Sequence, residues 1–399
     1  MPIPPEARGY RPPGLYDDRQ ACPEQGRGEC LSHAPVSLTQ IGRVFGRLGC
    51  IGFGGPLAHI ALIQDEVQER RGWLDKNDLL QGIALSQALP GPASTQLVIY
   101  TGFRLQGYRG GMVAGSAFIL PAFVIMLALS WFYFRFQAIP TVQNLFYGMT
   151  PVVLALILSS SYRLGKTVAT DRILLTVIAA SAALVLFLSF NIILLFLLAG
   201  ALGVFLYGPG RGASRFSAMR LAAAPPEVLW QLGLFFCKVG ALIYGGGLVI
   251  IPFIEKEVVN TLGWLSQKEF LDGLALGQMT PGPVVITATF IGYKVAGLSG
   301  ALVATFAIFL PSFVFIFLAA AYLQRIENSP YVQAFLKPVN AAAVGAIFGS
   351  FLSLSSKSLL HPFPLVLFVL SMVAILRYKA NFAVLFPAGA LLGWLASAL

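Results

Sequence analysis

The chain repeats itself. From Phe45 to Pro92, about 20 of the 48 positions recur identically, without a gap, 191 residues later, between Phe236 and Pro283. The first copy carries Gly49, Phe53-Gly54-Gly55, Glu66, Gly72-Trp73-Leu74, Gly82, Gln87 and Pro90-Gly91-Pro92. The second carries Gly240, Tyr244-Gly245-Gly246, Glu257, Gly263-Trp264-Leu265, Gly273, Gln278 and Pro281-Gly282-Pro283 in the same order. A chain built this way folds as two related units, and each irregular feature occurs twice. Apolar repeats interrupted by Gly and Pro at matching positions are the pattern of secondary transporters.

The repeats need lipid. The chain is 57% hydrophobic and 11% charged, with a mean hydropathy of +0.76, whereas soluble domains are about 25% charged. This predicts an all-α polytopic membrane protein of two homologous helical bundles in inverted repeat. It has 10 to 13 segments, depending on how interrupted ones are counted. Candidate spans lie at 39–62, 79–103, 110–134, 141–164, 173–188 and 191–207, then at 229–254, 270–293, 299–323, 332–355, 363–376 and 382–398. The domain boundaries follow: a tail at 1–37, a membrane repeat at 38–207, a polar linker at 208–227 and a second repeat at 228–399. The tail has no apolar signal-peptide core, so it is expected to be uncleaved, disordered and cytosolic.

The net charge is +10. The tail holds Arg8, Arg11, Arg19 and Arg27 against five acids, so the excess sits in the membrane part. Lys and Arg bordering spans are read first as orientation signals, not as a nucleic-acid surface. If every first-half segment crosses, Arg104, Arg109, Arg163, Lys166 and Arg172 share the inner side, but Arg70, Arg71 and Lys76 fall outside against the rule. The basic residues of the second half favour inversion, which requires one interrupted segment to turn back or one extra crossing. Cys22, Cys30 and His33 lack zinc spacing, and Cys50 and Cys237 complete no disulfide framework, so neither metal nor cofactor is expected.

Chemistry concentrates at the interruptions. A residue before proline avoids the α region, and proline cannot donate inside a helix. Pro90-Gly91-Pro92 and Pro281-Gly282-Pro283 therefore end one helix and start another. The new starts present free N–H groups around Ala93-Ser94-Thr95 and Val284-Val285-Ile286, which suits an anion. Gly54-Gly55 and Gly245-Gly246 predict a second pair of broken helices facing the first. Arg47 and Lys238, each seven residues before its first motif glycine, are candidates for positive charge near the substrate. Gln87 and Gln278 precede the Pro-Gly-Pro motifs by three residues and donate hydrogen bonds without charge. Glu66 and Glu257 are candidates for carrying coupling protons, against a plain role as solvated loop acids. Leu164-Gly165-Lys166-Thr167 resembles the end of a phosphate loop but lacks its first glycine and its strand-helix setting, which removes ATP hydrolysis.

With Phe53-Gly54-Gly55-Pro56, Ala88-Leu89-Pro90-Gly91-Pro92 and the repeated Gly-Trp-Leu, the sequence resembles the chromate ion transporter family of two-domain, long-chain type, from about Leu38 to Leu399. The resemblance implies a bacterial cytoplasmic-membrane protein that exports chromate and confers resistance, with sulfate competing. It also implies halves of opposite orientation. The second half departs at Gly247, where the first has Pro56, and at Thr280, where the first has Leu89, so the halves need not bind alike. Binding is expected between the helix starts at Pro90–Thr95 and Pro281–Ile286, with Arg47 and Lys238 supplying field. A homodimer in the lipid is an allowed assembly. Three other readings stay open: sulfate or other oxyanion uptake, a membrane-embedded enzyme on lipid-linked phosphates, and an anion channel.

Overall fold

The computed structural model describes residues 36–53, 55–188, 190–207, 228–243, 247–320 and 330–396. The tail, the linker, Gly54, Gly245 and Gly246 lie outside the described residues. Among the described residues, fourteen α-helices follow in order: α1 (Leu38–Ile51), α2 (Gly55–Gln64), α3 (Lys76–Ala88), α4 (Ala93–Phe136), α5 (Pro140–Val168), α6 (Arg172–Leu188) and α7 (Ile192–Tyr207) form the first half. The second half holds α8 (Val228–Leu242), α9 (Ile250–Phe253), α10 (Gln267–Met279), α11 (Thr287–Ala320), α12 (Pro330–Ser358), α13 (Pro362–Arg377) and α14 (Phe382–Ala396).

Polar residues set the helix starts. Ser37 and Gln40 cap α1 reciprocally, Asp75 accepts from the Asp78 N–H at the start of α3, and Ser266 with Glu269 caps α10 in the same way as Ser37. Glycine sets the turns. Gly107 and Gly297 stand at φ 60° and φ 59° and break α4 and α11 into two limbs each. A side chain on Gly102 would strike the Gly110 carbonyl and Ala114, so the limbs 93–105 and 108–136 lie face to face. Gly292, Gly300 and Ala304 repeat that contact in α11.

The contacts settle which interrupted stretches cross. Asp78 pairs with Arg104, and Gly82 packs on Tyr100 and Leu97, so α3 and the first limb of α4 form an in-and-out hairpin with Pro90-Gly91-Pro92 at its tip. Glu269 with Lys294 (2.7 Å), Gly273 on Phe290 and Gly277 on Thr287 build the same hairpin from α10 and the first limb of α11. α1 runs parallel to the second limb of α4, with Gly42 on Val113 and Gly49 on Phe118. Gln106 Nε2 donates to the Val36 carbonyl (2.9 Å), so α1 and that limb begin at one end of the molecule, where α3 also begins. The chain between α1 and α3 must therefore enter and return, so α1 and α2 form a second hairpin. The stretches 39–62 and 79–103, each expected as one span, are hairpins. Their counterparts from α8 to α11 follow the same logic.

Inversion follows from direction. Gly111 packs on Phe317 and Gly115 on Phe313, so the equivalent limbs of α4 and α11 run antiparallel. Gly345 meets Ser181 and Gly349 meets Val185, so α12 runs parallel to α6 and opposite to its own counterpart α5. The halves also interlock. α5 packs on α13 and α14 of the other half, while α12 packs on α6 and α7. Small residues allow it: Gly148 touches Gly389 and Gly393, and Gly203 touches Ala334 and Pro338. In lipid, close backbone approach of this kind drives association in place of the hydrophobic effect. One buried cluster accordingly runs from Ile119 through Phe146, Phe253 and Phe290 to Phe386, across both halves.

Among the described residues, four helices are long and apolar enough to cross a bilayer: Ala93–Phe136, Pro140–Val168, Val284–Ala319 and Gln333–Ser356. The chain is a multi-pass membrane protein.

Candidate functional site

The hairpin tips meet in the middle. The Gly91 N–H donates to the Ile243 carbonyl (2.7 Å), and the Gly282 N–H donates to the Gly52 carbonyl (2.7 Å). Gly91 and Gly282 are equivalent, as are Gly52 and Ile243, so the two bonds are one contact made twice across the pseudo-twofold axis. Each uses a carbonyl left open by a helix break and a donor left open by a Pro-Gly-Pro turn. Leaving such a buried group unpaired costs about 1–3 kcal/mol. Gly91 at φ 133° and Gly282 at φ 103° occupy backbone that side chains disfavour.

Beside the second contact lies a small recess, partly open to the outside. Gly52, Phe53 and Gly55 line it from the first half, and Gly277, Gln278, Thr280, Gly282 and Val284 from the second. Asn381, Phe382 and Ala383 close it at the α13–α14 turn. Three of its lining residues offer donors. Gln278 Nε2 is buried without a hydrogen-bond partner. Val284 opens a helical turn, so its N–H has no acceptor within that turn. Asn381 spends its Oδ1 on the Ala383 N–H (3.0 Å), which leaves its amide hydrogens. Among the described residues, no carboxylate lines the recess. Arg377 and Lys379, both exposed, stand on the turn just before Asn381.

The first tip differs. Gln96 Nε2 donates to the Pro90 carbonyl (2.6 Å), while Gln96 Oε1, Thr95 Oγ1 and Ser312 Oγ are buried without partners. Where Ser312 faces Gly91, Ala122 faces Gly282. The α4 start has Ser94 and Thr95 buried, and its first helical bond runs from the Gln96 N–H to the Pro92 carbonyl (3.0 Å). The N–H groups of Ala93, Ser94 and Thr95 therefore have no acceptor within the helix.

Of the residues singled out in the sequence, Gly55, Gln278 and Gly282 line the recess, while Pro281 and Pro283 flank Gly282 at its wall. Pro90, Gly91, Pro92, Ser94 and Thr95 form the opposite tip. Gln87 is exposed, unlike its counterpart Gln278. Arg47 and Lys238 are exposed on the open faces of α1 and α8 and do not line the recess, so positive charge inside it is not theirs. Each sits on the third face of its helix, because the glycine face packs on α4 or α11 and the apolar face is buried. Glu66 is buried and salt-bridged to Arg71 (2.7 Å), with Arg70 at 3.9 Å. Glu257 is half-buried in the turn Ile254–Thr261.

Sequence reasoning missed His59. Its Nε2 lies 2.9 Å from the Gly52 carbonyl and so donates to it, and its ring meets Phe118 edge-on at 5.6 Å. Two donors thus hold the Gly52 carbonyl. The signal was a histidine where the second copy has Ile250.

The family model described as "Chromate transporter" matches residues 39–204 and 230–394, one match to each half of the fold. The chain belongs to the chromate transporter family. It is 37% identical over 369 residues to the chromate transport protein of Cupriavidus metallidurans, covering 89% of this chain and 92% of that one. It is 35% identical over 358 residues to a probable chromate transport protein of Synechococcus elongatus, covering 86% and 90%. A chromate transport protein of Pseudomonas aeruginosa is 32% identical over 391 residues, covering 90% and 93%. No solved structure matches. As a member of the chromate transporter family the protein is a membrane transporter and not an enzyme. Each family match ends within a few residues of its half's last helix, so the two matched units are the two interlocked halves.

Proposed function

We propose that this transporter exports chromate from the cytoplasm across a bacterial inner membrane and thereby confers chromate resistance. The observation that carries this reading is the recess between the Gly52 and Gly282 tips, which offers hydrogen-bond donors and, among the described residues, no carboxylate. A tetrahedral dianion needs that lining. Sulfate, of the same shape and charge, competes for it. The inverted halves allow alternating access, with one set of tips parting while the other closes.

Charge supports the direction. The end of the molecule where α1 and α3 begin also carries Arg70, Arg71, Lys76, Arg104, Arg109, Arg163, Lys166, Arg172, Lys337, Arg377 and Lys379. The opposite end carries Arg135, Lys256, Lys268, Lys294 and Lys357. The basic end is the cytoplasmic one by the positive-inside rule. Arg70, Arg71 and Lys76, which violated the rule when every segment crossed, obey it once the segments are hairpins. Moving two negative charges outward gains about 4.6 kcal/mol per 100 mV of inside-negative potential. That sustains a gradient of about three decades without ATP.

Flux in inside-out vesicles with an imposed potential tests the reading. Wild type should accumulate chromate when the lumen is positive, and sulfate should compete. Gln278→Leu, which removes a recess donor, should raise KM about tenfold with maximal flux retained. Voltage-independent flux, or an unchanged KM in the variant, would contradict it.

A further inference from the structure

The two halves differ in one respect that the repeat conceals. At the position equivalent to Gln81, which is exposed on α3, the second half has Asp272, 1% exposed within α10. Tyr133, 3% exposed near the end of α4, donates its O–H to Asp272 Oδ2 (2.7 Å). No Lys, Arg or His lies within ion-pair distance of this carboxyl among the described residues. The surroundings are aromatic: Tyr133 packs on Phe146 (5.0 Å) and Phe290 (5.3 Å). A buried carboxylate with one phenol and no cation is costly, and taking up a proton removes that cost.

Position gives the group a task. α10 starts at the less basic end and runs inward to the Thr280–Pro283 tip. Asp272 lies eight residues before Thr280, about 12 Å at the helical rise. It therefore stands between the outer face and the recess, on the hairpin whose tip closes against Gly52. We propose that Asp272 is the proton site of the transport cycle, with Tyr133 as its positioning residue. The carboxylate takes a proton from the outer face while the anion leaves, and releases it to the cytoplasmic face as the hairpin returns. This rests on the transport reading above.

The charged and titratable groups around Asp272 are accounted for. On α10, Lys268 and Glu269 lie one turn before it. Glu269 holds Lys294 of α11 (2.7 Å), and Tyr293 stacks on Phe134 (6.1 Å). The turn Ile254–Thr261 carries Glu255, Lys256 and Glu257. α4 adds Arg135, which is exposed, α5 places Phe146 here, and α14 has no ionisable residue.

The experiment compares wild type, Asp272→Asn and Tyr133→Phe in inside-out vesicles with the membrane potential clamped. Chromate–chromate exchange without gradients is measured beside accumulation driven by an acidic lumen. Asn keeps an acceptor for Tyr133 but carries no proton. Asp272→Asn should exchange within about twofold of wild type while losing pH-driven accumulation at least about tenfold. Tyr133→Phe should move the pH midpoint of accumulation with exchange intact. Retained pH-driven accumulation in Asp272→Asn overturns the proposal, and so does loss of exchange and accumulation together, which would mark a purely structural contact. A wild type that exchanges chromate but ignores the pH gradient overturns the coupling and leaves transport standing. Absence of exchange in wild type removes the transport reading itself.

Discussion

Gly282 concentrates three constraints on one residue. Its φ of 103° disfavours a side chain, a Cβ would lie 2.9 Å from that of Ala122, and its N–H holds the Gly52 carbonyl. Gly107, at φ 60°, has open space around it and carries the backbone constraint alone. Gly282→Ala should therefore lower chromate exchange by more than about tenfold. Gly107→Ala should cost about 1–2 kcal/mol of stability and leave exchange in place. Exchange assays and thermal denaturation in detergent separate the two, and equal effects would deny the tip contact its role. Gly282 was legible in the sequence because its Pro-Gly-Pro motif repeats. Asp272 and Tyr133 were not, because each finds its partner in an element far along the chain, and His59, bonded to Gly52 seven residues back, was passed over because the repeat draws attention to what matches.

At the scale of elements, the hairpins and the crossed helices behave differently. The hairpin bases are held by Asp78 with Arg104 and Glu269 with Lys294, partly exposed pairs worth about 0–1 kcal/mol each. The hairpins are thus lightly anchored at the surface, which suits parts that move. The packing of α5 on α14 is tight, since Gly148 touches the backbone of Gly389 and Gly393. Gly148→Leu should separate these helices and destabilise the protein by about 3 kcal/mol or more. A midpoint shift in detergent below that expected of a surface substitution would show that the interlock is loose. The sequence placed nearly every helix, because apolar runs and Pro-Gly punctuation act locally. It could not tell a crossing from a hairpin, since both are apolar stretches broken at their middle.

For the whole molecule, inversion has a direct test. Tyr108 and Leu298 are equivalent, begin the second limbs of α4 and α11, and are both exposed. In a background without the native cysteines, Tyr108→Cys and Leu298→Cys should react with an impermeant thiol reagent from opposite faces. Tyr108→Cys should be reached from the cytoplasmic side. Labelling of both from one face would mean parallel halves. The charge count favoured inversion but left Arg70, Arg71 and Lys76 against the rule, because it assigned every apolar stretch a crossing.

Composition and the internal repeat were enough to establish a duplicated helical membrane protein, its break points and the family it resembles. Those properties depend on local propensity and on transfer of side chains into lipid, both of which are written residue by residue. Tertiary structure alone decided that the breaks are hairpin tips, that each tip bonds to the other half, and that Arg47 and Lys238 stay outside the recess. Such outcomes depend on which distant surfaces pack together. A chain that repeats itself says nothing local about whether its copies lie side by side or head to tail.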